Sequence, residues 1–181
     1  MFVQRAPGEL YLHGTTNPGD RKAYGWVERV DPFTLAPLAE SGPLRSGSHV
    51  WCGGVVAHAD GSLYTVNGCF VQRLDADCRI LAERRLPVDR AHNGLVILSD
   101  GVLATKDLRL QGHADSTLTL LEPGSLEILA TVVLPEPSMG RIAVDRRPDG
   151  EWIVLPGTDH LFRLRYANGR ARLDRDRKSV G

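Results

Sequence analysis

The sequence predicts an all-β protein, a β-propeller made of four-stranded blades, and three observations carry that prediction. First, the stretch from His49 to Pro87 reads as four short strands separated by turn signals, a meander of a length that suits one blade. Second, its punctuation recurs: Gly54 and Asp60-Gly61 are followed by Gly94 and Asp100-Gly101, and then by Gly140 and Asp149-Gly150. Third, no segment of about eleven residues or more keeps helical periodicity, whereas Leu-Tyr-Thr-Val at 63–66 and Phe-Arg-Leu-Arg at 162–165 alternate as half-buried strands do. Two-residue hairpins in twisted sheets need positive φ, which glycine adopts without steric cost, so the repeated Asp-Gly pairs have a physical task. A β-sandwich is the alternative fold. Repeat offsets of 40 and 46 residues favour radial blades.

Taken in order, residues 8–44 open with a strand around Leu10 to His13. A polar loop containing Asn17-Pro18-Gly19-Asp20 follows, then a strand from Trp26 to Val30, a turn started by Asp31-Pro32, and an outer strand from Leu35 to Glu40. This segment resembles a blade without its first strand, which would lie upstream of Met1 or come from the other end of the chain. Residues 45–48, Arg-Ser-Gly-Ser, link to the blade at 49–87, with strands after Gly54, at Leu63–Val66, at Val71–Leu74 and at Ile80–Leu86. The third blade, 90–135, places Leu103–Lys106 under Leu63–Val66 and Thr117–Leu121 under Val71–Leu74, with Leu108–Asp115 as an inserted loop and Leu126–Leu134 as the outer strand. The fourth, 138–173, has strands at Trp152–Leu155 and Leu161–Tyr166 and a strong hairpin signal at Asn168-Gly169. Residues 174–181 lack an apolar face and are expected to fray or to be truncated.

Propellers run from four to eight blades, so four segments predict a partial ring of a six- to eight-bladed propeller, completed by further blades or by self-association. A closed four-bladed ring is the alternative. Composition narrows the function classes. The 22 basic and 22 acidic residues balance, and aromatics are 6% and scattered, so neither an electrostatic nor a stacking signature of nucleic-acid binding is present. No apolar run spans a bilayer, and the first residues lack the pattern of a signal peptide, which gives a cytoplasmic expectation with no membrane partner. Cys52, Cys69 and Cys78 form no CxxC pair and are expected to be reduced, partly buried thiols; a zinc site with His49 does not match a zinc-motif spacing.

The run NGLVILSDGVLATKD at 93–107 carries a resemblance. With the strand and turn pattern over 49–166, it is similar to a blade of the six-bladed propellers of the gluconolactonase, senescence marker protein and strictosidine synthase superfamily, and also to NHL and quinoprotein-like blades. The resemblance implies that a residue just before such a glycine points into the central channel and ligates a divalent metal. Asn93 is the matching position, with calcium the implied ion. The equivalent places in the neighbouring blades hold Gly53 and Met139, and Glu9 is a poor match to the family's N-terminal glutamate, so a metal-dependent lactonase or esterase would have a degenerate site.

From the residues themselves, the best polar cluster combines His49, His92, Asn93, Lys106, Asp107 and Arg141, at the ends of blades where the segments before each first strand gather. His92 and Asp107 are the candidate proton-transfer pair, since imidazole titrates near neutrality. Against this, His92 and Asn93 can cap backbone groups, and Asp107 can bond backbone amides after its strand. His58, His113 and His160 are expected to be solvated in turns, Trp26 and Trp152 to pack between blades, and Trp51 to pack or to stack on a ligand. Arg84-Arg85 and Arg146-Arg147 are expected at solvated outer positions. Three functions follow: binding of a small polar ligand through His49, His92, Asn93, Lys106 and Arg141; a metal-assisted hydrolase using Asn93; and a non-catalytic interaction scaffold.

Overall fold

Turn chemistry decides where the strands begin and end. The computed structural model describes residues 1–16, 22–110 and 114–178, with side chains as far as Asp174. Among the described residues there are sixteen strands and no helix. They form four antiparallel sheets, each of four strands consecutive in sequence. The first sheet is β1 (Phe2–Ala6), β2 (Glu9–Thr16), β3 (Tyr24–Val30) and β4 (Pro37–Glu40), and the second is β5 (Cys52–Ala57), β6 (Leu63–Asn67), β7 (Phe70–Leu74) and β8 (Ile80–Arg85). The third is β9 (His92–Ile97), β10 (Leu103–Asp107), β11 (Thr117–Leu121) and β12 (Ile128–Val133). The fourth is β13 (Ala143–Arg147), β14 (Gly150–Pro156), β15 (His160–Ala167) and β16 (Arg170–Lys178). No strand is exchanged between sheets, which removes the sandwich alternative and gives the meander of propeller blades.

Two expectations are corrected. The first blade does not lack a strand: Phe2–Ala6 pairs with β2, and the Met1 ammonium donates to the His13 carbonyl at 2.7 Å. The segment is short and only partly apolar, so it offered little periodicity to read. The chain also does not end its order at Leu173. β16 continues through Lys178, because backbone pairing with β15 does not require an apolar face.

The structure divides into two compact units, Met1–His92 and Asn93–Gly181. In the first, Tyr11, Val27, Leu44, Leu63, Leu74 and Cys78 form a core. In the second, Leu98, Ala104, Leu118, Leu120, Ile153, Leu155, Phe162 and Leu164 do the same. β6 and β10 are buried along their whole length, whereas the outer strands β8 and β12 are mostly exposed or half-buried. β6 and β10 are thus covered on both faces, whereas the middle strand β15 alternates buried with exposed residues.

The first three blades share one turn between their third and fourth strands. Asp31 Oδ1 accepts the Phe33 and Thr34 amides, Asp75 Oδ1 those of Asp77 and Arg79, and Glu122 those of Gly124 and Ser125. The turn then closes on a non-glycine residue in the left-handed region: Leu35 (φ 57°), Cys78 (φ 63°) or Leu126 (φ 60°). The fourth blade solves the problem differently. Asn168 and Gly169, with φ of 50° and 72°, make a two-residue hairpin in which both central residues have the sign that the strand twist prefers.

A left-handed leucine costs about 1–2 kcal/mol, and Leu35 is largely exposed whereas Leu126 is fully buried. Leu35→Gly is therefore expected to raise the melting temperature by about 1–4 °C after the added chain entropy is deducted. Leu126→Gly, at the same φ, should lower stability by roughly 2–5 kcal/mol because a core side chain is lost. Thermal and urea unfolding of the two variants check both.

Candidate functional site

Several of the predicted residues gather in the second unit around the segment 138–142, which leads into β13. Lys106, on β10, is fully buried, and its Nζ donates to the carbonyls of Ser138 (2.8 Å) and Asp107 (3.2 Å). Asn93 Nδ2 donates to the Met139 carbonyl at 2.8 Å, while its buried Oδ1 has no partner among the described residues. A Cβ placed on Gly94 would lie 3.6 Å from Arg141 Cα, so the Arg141 backbone passes beside Gly94 while the residue itself is exposed. Asp107 is fully buried and committed: one oxygen accepts the Thr117 amide at 2.6 Å, the other pairs with Arg109 Nε at 2.5 Å. That is the backbone role the sequence also allowed for it.

Burial holds the Lys106 ammonium down to about 8, against the opposing pull of the Asp107 carboxylate. Counting from the turn glycines Gly8, Gly61, Gly101 and Gly150, the place of Lys106 is taken by His13, Val66 and Leu155 in the other blades. Two blades thus put a titratable group where two put an aliphatic one.

In the first unit, His49 and His92 meet at the turn between β6 and β7. The His92 amide donates to the Gly68 carbonyl at 2.9 Å, and the His49 carbonyl lies where a Cβ on Gly68 would stand. Gly68 has φ 57° and is walled by the Ser46 and His49 carbonyls, so no other residue fits there. His92 is buried, with its Nδ1 donating to the Arg90 carbonyl at 3.1 Å; His49 is exposed.

Other expectations fare unevenly. His58 and His160 are not freely solvated. His58 packs edge-on against Tyr64 and accepts the Asp60 amide, and His160 bonds Glu136 at 2.9 Å. His113 lies outside the described residues. Trp152 is buried beneath Arg163 and Arg147 of its own blade, while Trp51 is 45% exposed. The three cysteines are free, Cys69 and Cys78 buried. Burial pushes both thiols up, Cys78 to about 11, which leaves them protonated and unreactive.

A divalent metal does not fit these residues. Asn93 Oδ1 is a buried orphan oxygen of the right kind, but the Lys106 ammonium bonds the carbonyl next to the one that Asn93 holds. No cluster of three His, Cys, Asp or Glu side chains occurs among the described residues. A hard cation that wants six or more oxygens finds one neutral donor beside a positive charge.

Two features escaped the sequence reading. One is His13, 1% exposed on β2, whose Nδ1 donates to the Gly54 carbonyl at 3.1 Å in the next blade. The other is a cleft of about 800 Å³ in the first unit, lined by Lys22, Tyr24, Leu44, Arg45, Ser48, Phe70, Arg85 and their neighbours. Its wall is the Arg45–Ser48 segment, which reads in sequence only as a link. Gln72 Nε2 and Asn67 Nδ2 hold the Arg45 carbonyl at 2.9 and 3.2 Å, and the Arg45 guanidinium lies 4.6 Å over the Phe70 ring. Asp89 fixes the far side by accepting from the Ser48 amide (2.9 Å) and hydroxyl (2.8 Å), from Cys69 Sγ and from Arg85 (3.0 Å). The Ser48 bonds above all hold the Asp89 carboxyl well below the usual carboxylate range. Arg85 is thus an ion-paired wall residue of a cleft and not merely a solvated outer position.

Comparison with known proteins agrees with this architecture. No family model matches the chain, and no curated protein matches it significantly. Among solved structures, it is similar to the periplasmic gluconolactonase of Pseudomonas aeruginosa, with a TM-score of 0.61 at 17% identity over 94% of this chain and 54% of that one. The hydrazine synthase of Kuenenia stuttgartiensis gives 0.66 at 16% identity over 92% and 50%. The Pan2 WD40 domain of Neurospora crassa gives 0.57 at 7% identity over 96% and 59%. These likenesses show the fold: the protein has the β-propeller blade architecture. The chain spans between half and three-fifths of the length of the structures it resembles. No helix among the described residues is long and apolar enough to cross a membrane.

Burial lowers the His13 imidazole from its ordinary 6.5 to about 4, so the folded protein holds it neutral while the unfolded chain takes up a proton below 6.5. The sign follows: stability is complete above about pH 6.5 and falls towards pH 4, by roughly 3 kcal/mol from this group. His13→Val, which installs the residue the second blade has at that place, should flatten the decline between pH 6.5 and 4 relative to the parent protein. Urea midpoints across that range measure it, and equal slopes would show that His13 is not the group responsible.

Proposed function

We propose that this protein is a β-propeller-type binding protein that holds a small polar ligand at a segment that opens one of its blades. The observation that carries the reading is the cleft beside Arg45–Ser48, the segment that opens the second blade. Its size falls in the range of small-molecule sites, and its lining mixes apolar side chains with a few convergent polar ones. His49 follows that segment directly, and His92 closes the turn behind it. In the second unit, Asn93, Lys106 and Arg141 gather at the corresponding opening segment of the fourth blade. There the buried Asn93 Oδ1 is left without a partner among the described residues.

Binding is favoured over hydrolysis. Asp107 and His92 are tied to backbone groups, the thiols are protonated, and the donor set does not suit a metal. The Ser48 hydroxyl and the Cys69 thiol do reach the Asp89 carboxylate, but that carboxylate is held well below its usual range and is a poor base.

A thermal-shift screen of sugars, polyols, amino acids and organic acids tests the reading, since a ligand that binds only the folded state raises the melting temperature by mass action. At least one class should give a saturable shift that Arg45→Ala weakens about tenfold or more, with the ligand-free melting temperature unchanged. A panel without a saturable shift, or hits indifferent to both Arg45→Ala and Arg141→Ala, would overturn it.

A further inference from the structure

We infer that the ligand of the Arg45–Ser48 cleft is a monoanion with a flat apolar body, an aromatic carboxylate in chemical class. This rests on the proposed binding role and adds the charge and shape of what is bound. Among the described residues the lining contains three cationic side chains, Lys22, Arg45 and Arg85, and no acidic one. Two of the cations are already matched from outside the lining: Arg45 by Glu83 at 2.9 Å, and Arg85 by Asp89 at 3.0 Å. Among the described residues Lys22 has no such partner, so those residues give the cleft a surplus of one positive charge. One negative charge balances it, and a phosphate monoester, near −2 at neutral pH, exceeds it.

The geometry adds direction to the charge. Each arginine meets its carboxylate partner through a single Nη, Arg45 through Nη1 and Arg85 through Nη2; Arg85 also reaches Cys69, while the rest of the Arg45 planar fork is left to grip a second carboxylate. Neither side chain is loosely held: Arg45 is stacked on Phe70, and Asp89, which grips Arg85, is itself anchored by the Ser48 amide and hydroxyl. The remainder of the lining is mixed: Ala23, Tyr24 and Pro43 expose apolar surface, Leu44 and Phe70 are buried, and Ser46, Gly47 and Ser48 complete it. The Tyr24 ring and Pro43 gain from covering a planar hydrocarbon. Arg45 and Arg85 are well exposed, so the attraction between any single pair is modest and screened by salt; selectivity comes from their convergence.

The test compares 2-naphthoate with the isosteric neutral 2-naphthamide, with acetate, which lacks the apolar body, and with phenyl phosphate, on the full chain by titration calorimetry at low salt. The inference expects naphthoate to bind at least tenfold more tightly than the amide and than acetate, and more tightly than phenyl phosphate. Arg45→Gln, at an exposed position, should weaken naphthoate binding about fivefold or more, and Glu83→Gln should strengthen it by freeing the Arg45 fork. Amide binding equal to naphthoate, or naphthoate binding unchanged by both substitutions, would overturn the inference. Sugars or polyols whose binding still depends on Arg45 would do so while leaving the broader binding role intact. If no probe's binding depends on Arg45, both fall together.

Discussion

A chain that passes from one blade to the next leaves its backbone carbonyls without a strand partner, and when they are buried something else has to satisfy them. This constraint governs the middle strands. In the first unit Gln72 and Asn67 reach to the carbonyls of Leu44 and Arg45. In the second, Lys106 and Asn93 reach to those of Ser138 and Met139. Several buried polar residues of the blades are therefore latches on the connecting segments. The same latches position whatever those segments expose to solvent, so blade stability and the candidate site share their residues.

The interchange of His13, Val66, Lys106 and Leu155 at one structural place shows how the latch can vary. An aliphatic residue contributes burial and leaves the neighbouring backbone to find other partners, whereas the imidazole and the ammonium supply a donor at the cost of desolvating an ionisable group. His13 resolves the conflict by staying neutral, and Lys106 by bonding two carbonyls.

Much of the fold was legible because it is written in local chemistry. The Asp-Gly pairs place Gly61 and Gly101 at φ 83° and 89°, and Asn168-Gly169 makes the hairpin its sequence announces. The repeat offset then carried the strand assignments from the second blade to its neighbours. What stayed hidden depends on contacts distant in sequence. Phe2–Ala6 becomes a strand only because β2 is there to pair with it. The Asp31, Asp75 and Glu122 turns end in left-handed Leu35, Cys78 and Leu126, residue types that give no warning of positive φ. For the site, the sequence singled out Asn93, Lys106 and His92 as polar residues at blade ends, but not that Asn93, Lys106 and His92 each bond a backbone carbonyl. It passed over Arg45–Ser48 because a small polar link looks the same whether it lines a cleft or merely spans a gap.

The last strand carries a consequence of a different kind. β16 is nine residues long and forms one margin of its sheet, so its outward amides and carbonyls present a template on which another chain's strand could grow. Its sequence, RARLDRDRK, interrupts that template with charge at nearly every position. A newcomer of the same composition would have to bring like charges into register and strip water from them. The strand can thus be long enough to complete its sheet while discouraging fibrous self-propagation, which a more hydrophobic margin of that length would invite.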